Sequence, residues 1–200
     1  NPYLEADSTG CYTKGKETLL FLLKSSQLTE YTAPDNLREI GDGLFEGNCN
    51  LVRVDLNRVE RIGEDAFCAC ENLQSVVSKN KIKSVGDYAF YGCSKLTEVA
   101  FQENVDQIGA GAFAECTSLE EFAVPEGIEY MDNILEGCSA LKKITLPSTM
   151  KGFCDGEEQD SIPFYGVPSL QQIEVSADNP YLKMEGDALY TKGGKVLLYY

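Results

Sequence analysis

The sequence predicts an α/β fold: a right-handed solenoid with a parallel β-sheet of about seven short strands and a β-hairpin at each end. Three observations carry this prediction. A phrase of about 23 residues recurs through the middle of the chain. Every copy contains a short apolar run of strand type, and the two ends match each other but not the middle. Chains of this kind coil into stacked turns that atypical terminal units close.

The repeat is clearest in three consecutive copies at the centre of the chain. In each copy an aliphatic residue and a glycine precede an Ala-Phe pair, and a cysteine and a leucine follow, as between Ile62 and Leu73. The phenylalanine slot falls at positions 45, 67, 90, 113, 135 and 164, so successive steps are 22, 23, 23, 22 and 29 residues. A leucine follows this slot by six residues in all six copies, which a chance pattern would not do.

Each of these leucines opens a short alternating run, as Leu51 does for Val54 and Leu56. Side chains two residues apart share one face of a strand, so the run predicts a β-strand in every unit. After it, residues 89, 90 and 93 fit one face of a single helical turn, which Asp87 is placed to cap. A unit of strand, bend and helical turn buries its apolar side chains only against neighbouring units.

The two ends of the chain resemble each other. Residues 1–4 match residues 179–182, and residues 12–15 match residues 190–193, at a constant offset of 178. Each end reads as a β-hairpin with a glycine in its turn. We therefore assign residues 1–200 to a single domain, with an N-terminal hairpin at 1–23, repeats at 28–175 and a C-terminal hairpin at 179–200. Because the sequence stops directly after a strand, we expect it to be a piece of a longer protein.

Composition argues against several classes of function. The net charge is −15, with 17 Lys and Arg among 32 Asp and Glu, so the clustered bases that nucleic acid needs are missing. No apolar run approaches the roughly 20 residues that cross a bilayer, so we expect no membrane insertion within this chain. The chain has no histidine, which removes Ser-His-Asp and Cys-His catalysis and histidine-ligated metals. We expect no cofactor and no metal.

The repeated unit is similar to a known one. Its pattern, Ile-Gly-x-x-Ala-Phe-x-x-Cys-x-x-Leu-x-x-Val/Ile-x-Leu/Phe over residues 28–175, resembles the BspA-like, or Treponema-pallidum-type, leucine-rich repeat of bacterial surface proteins. The resemblance implies a leucine-rich-repeat solenoid that is exported to an extracellular or cell-surface location. Some members of that family adhere to host matrix proteins. The family has no catalytic residues, so the resemblance implies a protein that is not an enzyme.

Eight cysteines in an exported protein would ordinarily suggest four disulfides. The repeat register argues otherwise, because four of them share one slot that Asn48 and Val167 fill in other copies. Parallel side chains on neighbouring turns keep their Cβ atoms too far apart for a bridge. We therefore predict reduced, buried thiols at Cys70, Cys93, Cys116 and Cys138.

The remaining cysteines receive separate predictions. Cys11 matches Leu189 of the other hairpin and is predicted to be in the core. Cys49 and Cys68 occupy slots that hold polar residues in other copies, so they are the candidates for exposed thiols, and the state of Cys154 is left open. A metal site built on residues 68–70 would lack a second ligand pair.

An acidic loop, residues 155–160, is inserted in the sixth unit. Carboxylate oxygens suit calcium, but the alternating ligand spacing of an EF-hand is absent. A solvated insertion is therefore the favoured interpretation, with a calcium loop as the alternative.

The outward positions of the predicted strands define a surface that we call the strand face, the concave side in such solenoids. Val77, Ala100 and Ala123 form a narrow apolar track beside Glu98 and Glu121, two acids on adjacent strands that favour a cation or a basic partner group. The alternative is an ordinary solvated sheet face. The candidate binding residues are Arg53, Asp55, Ser75, Val77, Glu98, Ala100, Glu121, Ala123, Lys143 and Thr145, and the same two rows continue to Glu30, Thr32, Gln172 and Glu174.

We predict that this monomeric module binds a protein partner through the strand face, with a host matrix protein as one candidate. The alternative is a structural spacer within a longer surface protein. A remote alternative is a carboxylate-based glycoside hydrolase that uses Glu98 and Glu121. Such enzymes need an acid and a base about 5 to 9.5 Å apart in a cleft. The open face offers no lid and no aromatic residue to stack on a sugar ring.

Overall fold

The computed structural model describes residues 1–6, 10–22, 27–101, 105–153 and 164–192, together with the backbone of 197–199. The repeats wind into a parallel β-solenoid, as the sequence predicts. The outward strands pair in register, with Arg53 beside Ser75 and Ser75 beside Glu98. The strands of this column are β4 (Glu30–Thr32), β6 (Arg53–Asp55), β8 (Ser75–Ser78), β10 (Glu98–Phe101), β12 (Glu121–Ala123), β13 (Lys143–Leu146) and β14 (Gln172–Val175).

A second column of parallel strands, which the sequence analysis missed, lies at the Ile-Gly positions of the repeat. Each of its strands is only two residues long, which is too short to produce an alternating pattern. It is continuous with the N-terminal unit, because Leu19 pairs with Ile40 and Ile40 with Ile62. The strands are β5 (Glu39–Ile40), β7 (Arg61–Ile62), β9 (Ser84–Val85) and β11 (Gln107–Ile108).

Both predicted terminal hairpins are present, and each has a third strand. The N-terminal sheet contains β1 (Leu4–Ala6), β2 (Gly10–Thr13) and β3 (Thr18–Leu22), and β3 then pairs in parallel with β5. The C-terminal sheet contains β15 (Leu182–Glu185), β16 (Ala188–Thr191) and β17 (Leu197–Tyr199). Asn179 anchors this second sheet, since its buried amide donates to the carbonyls of Pro147 and Met150 at 2.7 and 2.9 Å.

The predicted helical turn is wrong. No α-helix occurs in the described part of the chain, so the α/β assignment is corrected to an all-β solenoid. The cause lies in two backbone positions, one on either side of the phenylalanine in each of the first four copies, where φ is positive, as at Tyr88 (53°) and Gly92 (69°). Left-handed residues interrupt a right-handed helix. Asp87 caps no helix and accepts a hydrogen bond from Ala110 N of the next turn at 2.9 Å.

The core is built from columns of identical side chains. The rings of Phe45, Phe67, Phe90 and Phe113 stack with centroids 4.8, 5.1 and 5.1 Å apart, and Tyr31 closes the stack edge-on at 4.9 Å. These spacings are close to the distance between paired strands, about 4.8 Å, so rings and strands share one repeat distance. One connected cluster of buried residues runs from Tyr12 to Leu189.

Glycine allows the turns to approach this closely. A Cβ atom added at Gly63, Gly86 or Gly109 would lie 2.5 to 2.6 Å from a backbone nitrogen of the preceding turn. No side chain fits there, so the glycine of the Ile-Gly pair is a steric requirement of the fold.

The outward strands number seven, as predicted, but they form two sheets of four and three strands. The interruption lies between β10 and β12. Phe101 and Phe122 both crowd Phe113 there, with centroids 6.5 and 5.2 Å away. The preceding turns carry smaller residues in those slots, such as Ser78 and Val76. The larger side chains therefore coincide with the place where the two strands are not paired.

One buried cysteine tests the slot argument. Cys93 Sγ donates to Phe67 O at 3.2 Å, and Phe67 O also accepts Cys70 N at 3.2 Å, so it keeps a donor without the thiol. Since Val167 is buried in the same slot, we expect Cys93→Val to cost less than about 1.5 kcal/mol. Cys93→Asp should cost about 3 kcal/mol or more, because it buries an unpaired charge. Urea denaturation measures both changes, and equal losses would contradict the slot argument.

Candidate functional site

The structure places the ten candidate residues on two neighbouring sheets. In the first sheet Asp55 pairs with Val77, and Val77 with Ala100. In the second sheet Glu121 pairs with Lys143, and Ala123 with Thr145. The face is exposed or half-buried throughout, as a docking surface requires: Arg53, Glu98, Glu121 and Ala123 are exposed, and Asp55, Ser75, Val77, Ala100, Lys143 and Thr145 are half-buried.

The predicted apolar track is interrupted. Ala100 and Ala123 lie on strands of consecutive turns, but no backbone hydrogen bond joins β10 to β12 among the described residues. Glu98 and Glu121 lie on strands of adjacent turns, but no described backbone hydrogen bond joins these two strands. The strand face therefore consists of two sheets with an interruption at the centre of the proposed site.

Asp55 is held by contacts at the edge of the first half. Its carboxylate lies 2.8 Å from Lys79 Nζ and accepts a hydrogen bond from Asn57 N at 2.8 Å. Partial burial works to raise the pKa of Asp55, but these hydrogen bonds and the charges of Lys79 and Arg53 outweigh it, so the pKa is lowered. Asp55 is therefore a fixed anion that positions Lys79.

Two exposed carboxylates lie at the centre of the strand face. Glu98 and Glu121 are exposed, and neither forms an ion pair with any residue that the structure describes. Lys143, beside Glu121 in the register, pairs instead with Glu174 at 2.9 Å. A basic group of a partner would find both glutamates free.

The same exposure weakens the glycoside hydrolase alternative. A general acid of that class depends on an apolar pocket that raises its pKa. Glu98 and Glu121 lie on an open sheet surface. Because their two strands are not paired, no backbone hydrogen bonds hold the two carboxylates at a fixed distance. The arrangement supports recognition of charge better than proton transfer.

The four cysteines of the shared slot are reduced and buried. Burial raises the pKa of Cys70 and of Cys138 to about 12, and it raises the pKa of Cys93 and Cys116 well above the ordinary value. These thiols stay protonated and unreactive.

The other cysteines differ in exposure. Cys49 is exposed, as predicted, whereas Cys68 is half-buried. Burial and the nearby charges of Asp65 and Glu46 raise the pKa of Cys68. The prediction that Cys11 lies in the core is wrong. Cys11 pairs with Phe21 and is half-buried, and the neighbouring Tyr12 is the residue that points into the core. Cys154 and the acidic loop at 155–160, with its calcium alternative, lie outside the described residues.

An exposed aromatic pair away from the strand face was not predicted from the sequence. Tyr88 and Tyr91 are 46% and 40% exposed, and their rings meet edge-on at 5.9 Å. Tyr88 holds a left-handed backbone where other turns have Gly43 or Gly111. The signal was visible as tyrosine in a slot that other repeats fill with small or polar residues.

Comparison with known proteins identifies the repeat. The family described as BspA type leucine rich repeat region matches residues 22–77 and 38–157, in 6 copies. No curated protein matches the chain in sequence. The described residues contain no helix that is long and apolar enough to cross a bilayer.

Three solved structures show the same fold. A leucine rich cell surface protein from Faecalibacterium prausnitzii A2-165 aligns with a TM-score of 0.74 at 22% identity, over 100% of this chain and 62% of its own. A leucine-rich repeat protein from Bacteroides ovatus ATCC 8483 gives 0.64 at 29% identity, over 74% of this chain and 37% of its own. The T. pallidum leucine rich repeat protein aligns with a TM-score of 0.70 at 21% identity, over 86% of this chain and 79% of its own. The chain thus spans less than two thirds of the first two proteins.

Thiol reactivity should follow exposure. In the native protein we expect a maleimide to label Cys49 fastest and Cys68 more slowly, and to leave the four buried thiols unlabelled until denaturant is added. Mass spectrometry of labelled peptides locates each adduct. Cys49→Ser serves as the control and should remove the fast phase, and native labelling of Cys93 would contradict the assignment.

Stability should depend on pH through carboxylates with lowered pKa values. A hydrogen bond from Lys83 lowers the pKa of Glu60 below its ordinary 4.5, and hydrogen bonds from Ser148 lower that of Glu126. Because the folded pKa lies below the unfolded one, this stabilisation is present above about pH 4.5 and is lost as the pH falls through the folded value. Urea midpoints between pH 3 and 7 measure it.

A variant pair tests the cause of this dependence. Lys83→Met should flatten the acid limb, whereas Lys95→Met, whose Nζ bonds the Asn72 amide, should leave it unchanged. Identical acid limbs in both variants would contradict the role of Lys83.

Proposed function

This chain is a member of the BspA-type leucine-rich repeat family, and we propose that it is a surface-exposed, non-enzymatic module that binds another protein through its strand face. Its fold is that of bacterial leucine-rich repeat surface proteins. The site, the partner and the location are the parts that we propose. A host matrix protein is the candidate partner, and a cell-surface location is supported by the name of the F. prausnitzii neighbour.

The observation that carries the proposal is the pairing of small side chains on a rigid ladder. Val77 and Ala100 are direct neighbours across β8 and β10, and Val77 O accepts Leu56 N at 2.8 Å. Their low relief lets a partner backbone come close to the sheet. Because the ladder is already ordered, binding costs little conformational entropy.

Charge indicates the chemistry of the partner. The free carboxylates of Glu98 and Glu121 lie beside the small residues, and the chain as a whole carries −15. A basic segment would be attracted at long range and then placed in register by these two acids. Such steering raises association rates more than affinity, and salt weakens it.

A single copy should bind modestly. The strand face lacks the tyrosine, tryptophan and arginine cluster that supplies most binding energy at interfaces. Useful attachment would then depend on several copies or on further parts of a longer protein. The alternative is a spacer, in which the solenoid sets a distance and its face binds nothing.

The test uses a panel of purified host matrix proteins in a surface-binding assay. We expect Ala100→Arg combined with Ala123→Arg to weaken binding at least about tenfold, because long cationic side chains fill the low surface. The matched control is Ser139→Arg with Ala177→Arg, two exposed positions outside the seven outward strands. It adds the same charge and should bind like the parent.

Two results would overturn the proposal. If the folded Ala100 and Ala123 double variant binds as well as the parent, the site is elsewhere. If the parent binds no protein of the panel at any concentration tested, the spacer function takes its place.

A further inference from the structure

A cleft of about 480 Å³ opens between the fourth and fifth turns, away from the strand face. We call it the turn cleft, and it is lined by residues 106–108, 127–130 and 132. One wall is β11, the last strand of the second column, and the other is the segment around Tyr130. Ile108 is half-buried there, whereas its counterparts Ile62 and Val85 in the preceding turns are 2% and 1% exposed. The cleft therefore uncovers part of an otherwise closed aliphatic column.

The sequence contains the cause of the opening. The fifth unit is one residue shorter between its buried Met131 and the phenylalanine slot than the preceding units are between their aliphatic residue and that slot. Asp132 follows Met131 directly, as Gly63, Gly86 and Gly109 follow the aliphatic residues of their turns. In the preceding turns a Cβ atom at this glycine slot would lie 2.2 to 2.6 Å from atoms of the neighbouring turn, backbone nitrogen included. Since aspartate has a Cβ, the fifth turn cannot stack at the regular distance at this point.

The opening leaves regular ladder groups without their usual partners. In earlier turns the glycine-slot N–H donates one turn back, as Gly109 N does to Val85 O at 2.8 Å. No described residue donates to Ile108 O or Asp106 O from the fifth turn, and the N–H groups of Tyr130 and Asp132 find no acceptor in the fourth. One wall thus offers acceptors and the other offers donors.

Charges along the column change their pattern at the same place. The residues preceding the two-residue strands alternate in sign, and Glu60 pairs with Arg38 at 3.7 Å and with Lys83 at 2.5 Å. The next two, Asp106 and Glu129, are both acidic and face each other across the cleft. The alternation then resumes with Lys151, which lies 2.6 Å from Glu129.

A single inserted segment would repair all of these irregularities. An extended chain running parallel to β11 would donate to Asp106 O and Ile108 O and accept from Tyr130 N and Asp132 N. A basic residue between Asp106 and Glu129 would restore the alternation. An aliphatic residue two positions later would cover Ile108, and glycine must follow because it would stack on Gly109.

We propose that the turn cleft binds an extended segment of a partner protein with the pattern basic–polar–aliphatic–glycine, by strand addition. Within this chain, residues 83–86 of the third turn have this pattern and form the corresponding part of the second strand column. The proposal concerns a site separate from the strand face and does not depend on it. Net acidity of the cleft walls, from Asp106, Glu129 and the exposed Asp132 against Lys81 and Lys151, favours a basic segment.

The probe is the blocked hexapeptide Ile-Lys-Ser-Val-Gly-Ser, titrated into isotope-labelled protein by NMR. We expect amide shifts confined to the turn cleft, with slower hydrogen exchange at Tyr130 and at position 132. Two control peptides carry glutamate in place of lysine, or an N-methyl group on the serine that follows lysine. Each should bind at least about tenfold more weakly, since one reverses the charge contact and the other removes a ladder donor.

Two variants separate the opening from the charge. Asp132→Gly removes the Cβ, so the two turns should close on each other and leave no room for the peptide. Peptide binding should then weaken at least about tenfold. Asp132→Ala keeps the Cβ and the opening, so binding should fall only about two- to fivefold, as expected for one exposed charge. Slower exchange of the Tyr130 amide in free Asp132→Gly would show that the cleft has closed.

Several outcomes would overturn the proposal. One is an Asp132→Gly variant that binds the peptide as the parent does. A second is the absence of binding to the parent at about 1 mM peptide, the weakest affinity of interest. A third is a parent that self-associates in sedimentation while Asp132→Gly does not, because the occupant would then be a second copy of this chain. Binding that survives in the Ala100 and Ala123 double variant keeps this site distinct from the strand face.

Discussion

The close approach of successive turns at the glycine slot is the constraint on which this fold depends. Gly63, Gly86 and Gly109 leave no room for a Cβ atom, and this sets the turn spacing. At that spacing the phenylalanine rings stack at 4.8 to 5.1 Å and each slot thiol reaches a carbonyl of the preceding turn. The parallel ladders, the ring stack and the thiol column therefore all depend on the same spacing between successive turns.

Two departures from the repeat in the described part of the chain coincide with the two surfaces that we propose for partners. Phe101 and Phe122 lie where the pairing of the outward strands is interrupted, and Asp132 lines the cleft beyond the last strand of the second column. Both occur between the fourth and fifth turns. Regular repeats pair their backbone groups with the neighbouring turns, so a departure from the repeat leaves groups that a partner can bind.

Much of the architecture was visible in the sequence because it is periodic. The fixed distance from phenylalanine to leucine predicted the seven outward strands and the thiol slot correctly. The two-residue strands were missed, since Arg61 and Ile62 are too few to show an alternation. The helical turn was wrong because tyrosine and alanine, at 88 and 69, adopt left-handed backbone that their residue types do not favour. The split in the strand face was not predicted. It coincides with Phe101 and Phe122, two large residues in different turns, and a comparison of one repeat position at a time does not show that they meet.

The most direct measurement of the central constraint compares two glycine-to-alanine variants by equilibrium denaturation. A Cβ at Gly86 would lie 2.5 Å from Glu64 N, whereas one at Gly41, in the first turn, would lie 3.1 Å from Leu19 O. We expect Gly86→Ala to lose about 1 to 3 kcal/mol from overpacking against backbone. Gly41→Ala should change stability by less than about 1 kcal/mol, since the lower entropy of the unfolded chain offsets a mild contact. Equal stabilities for the two variants would contradict the claim that the glycine slot sets the spacing of the turns.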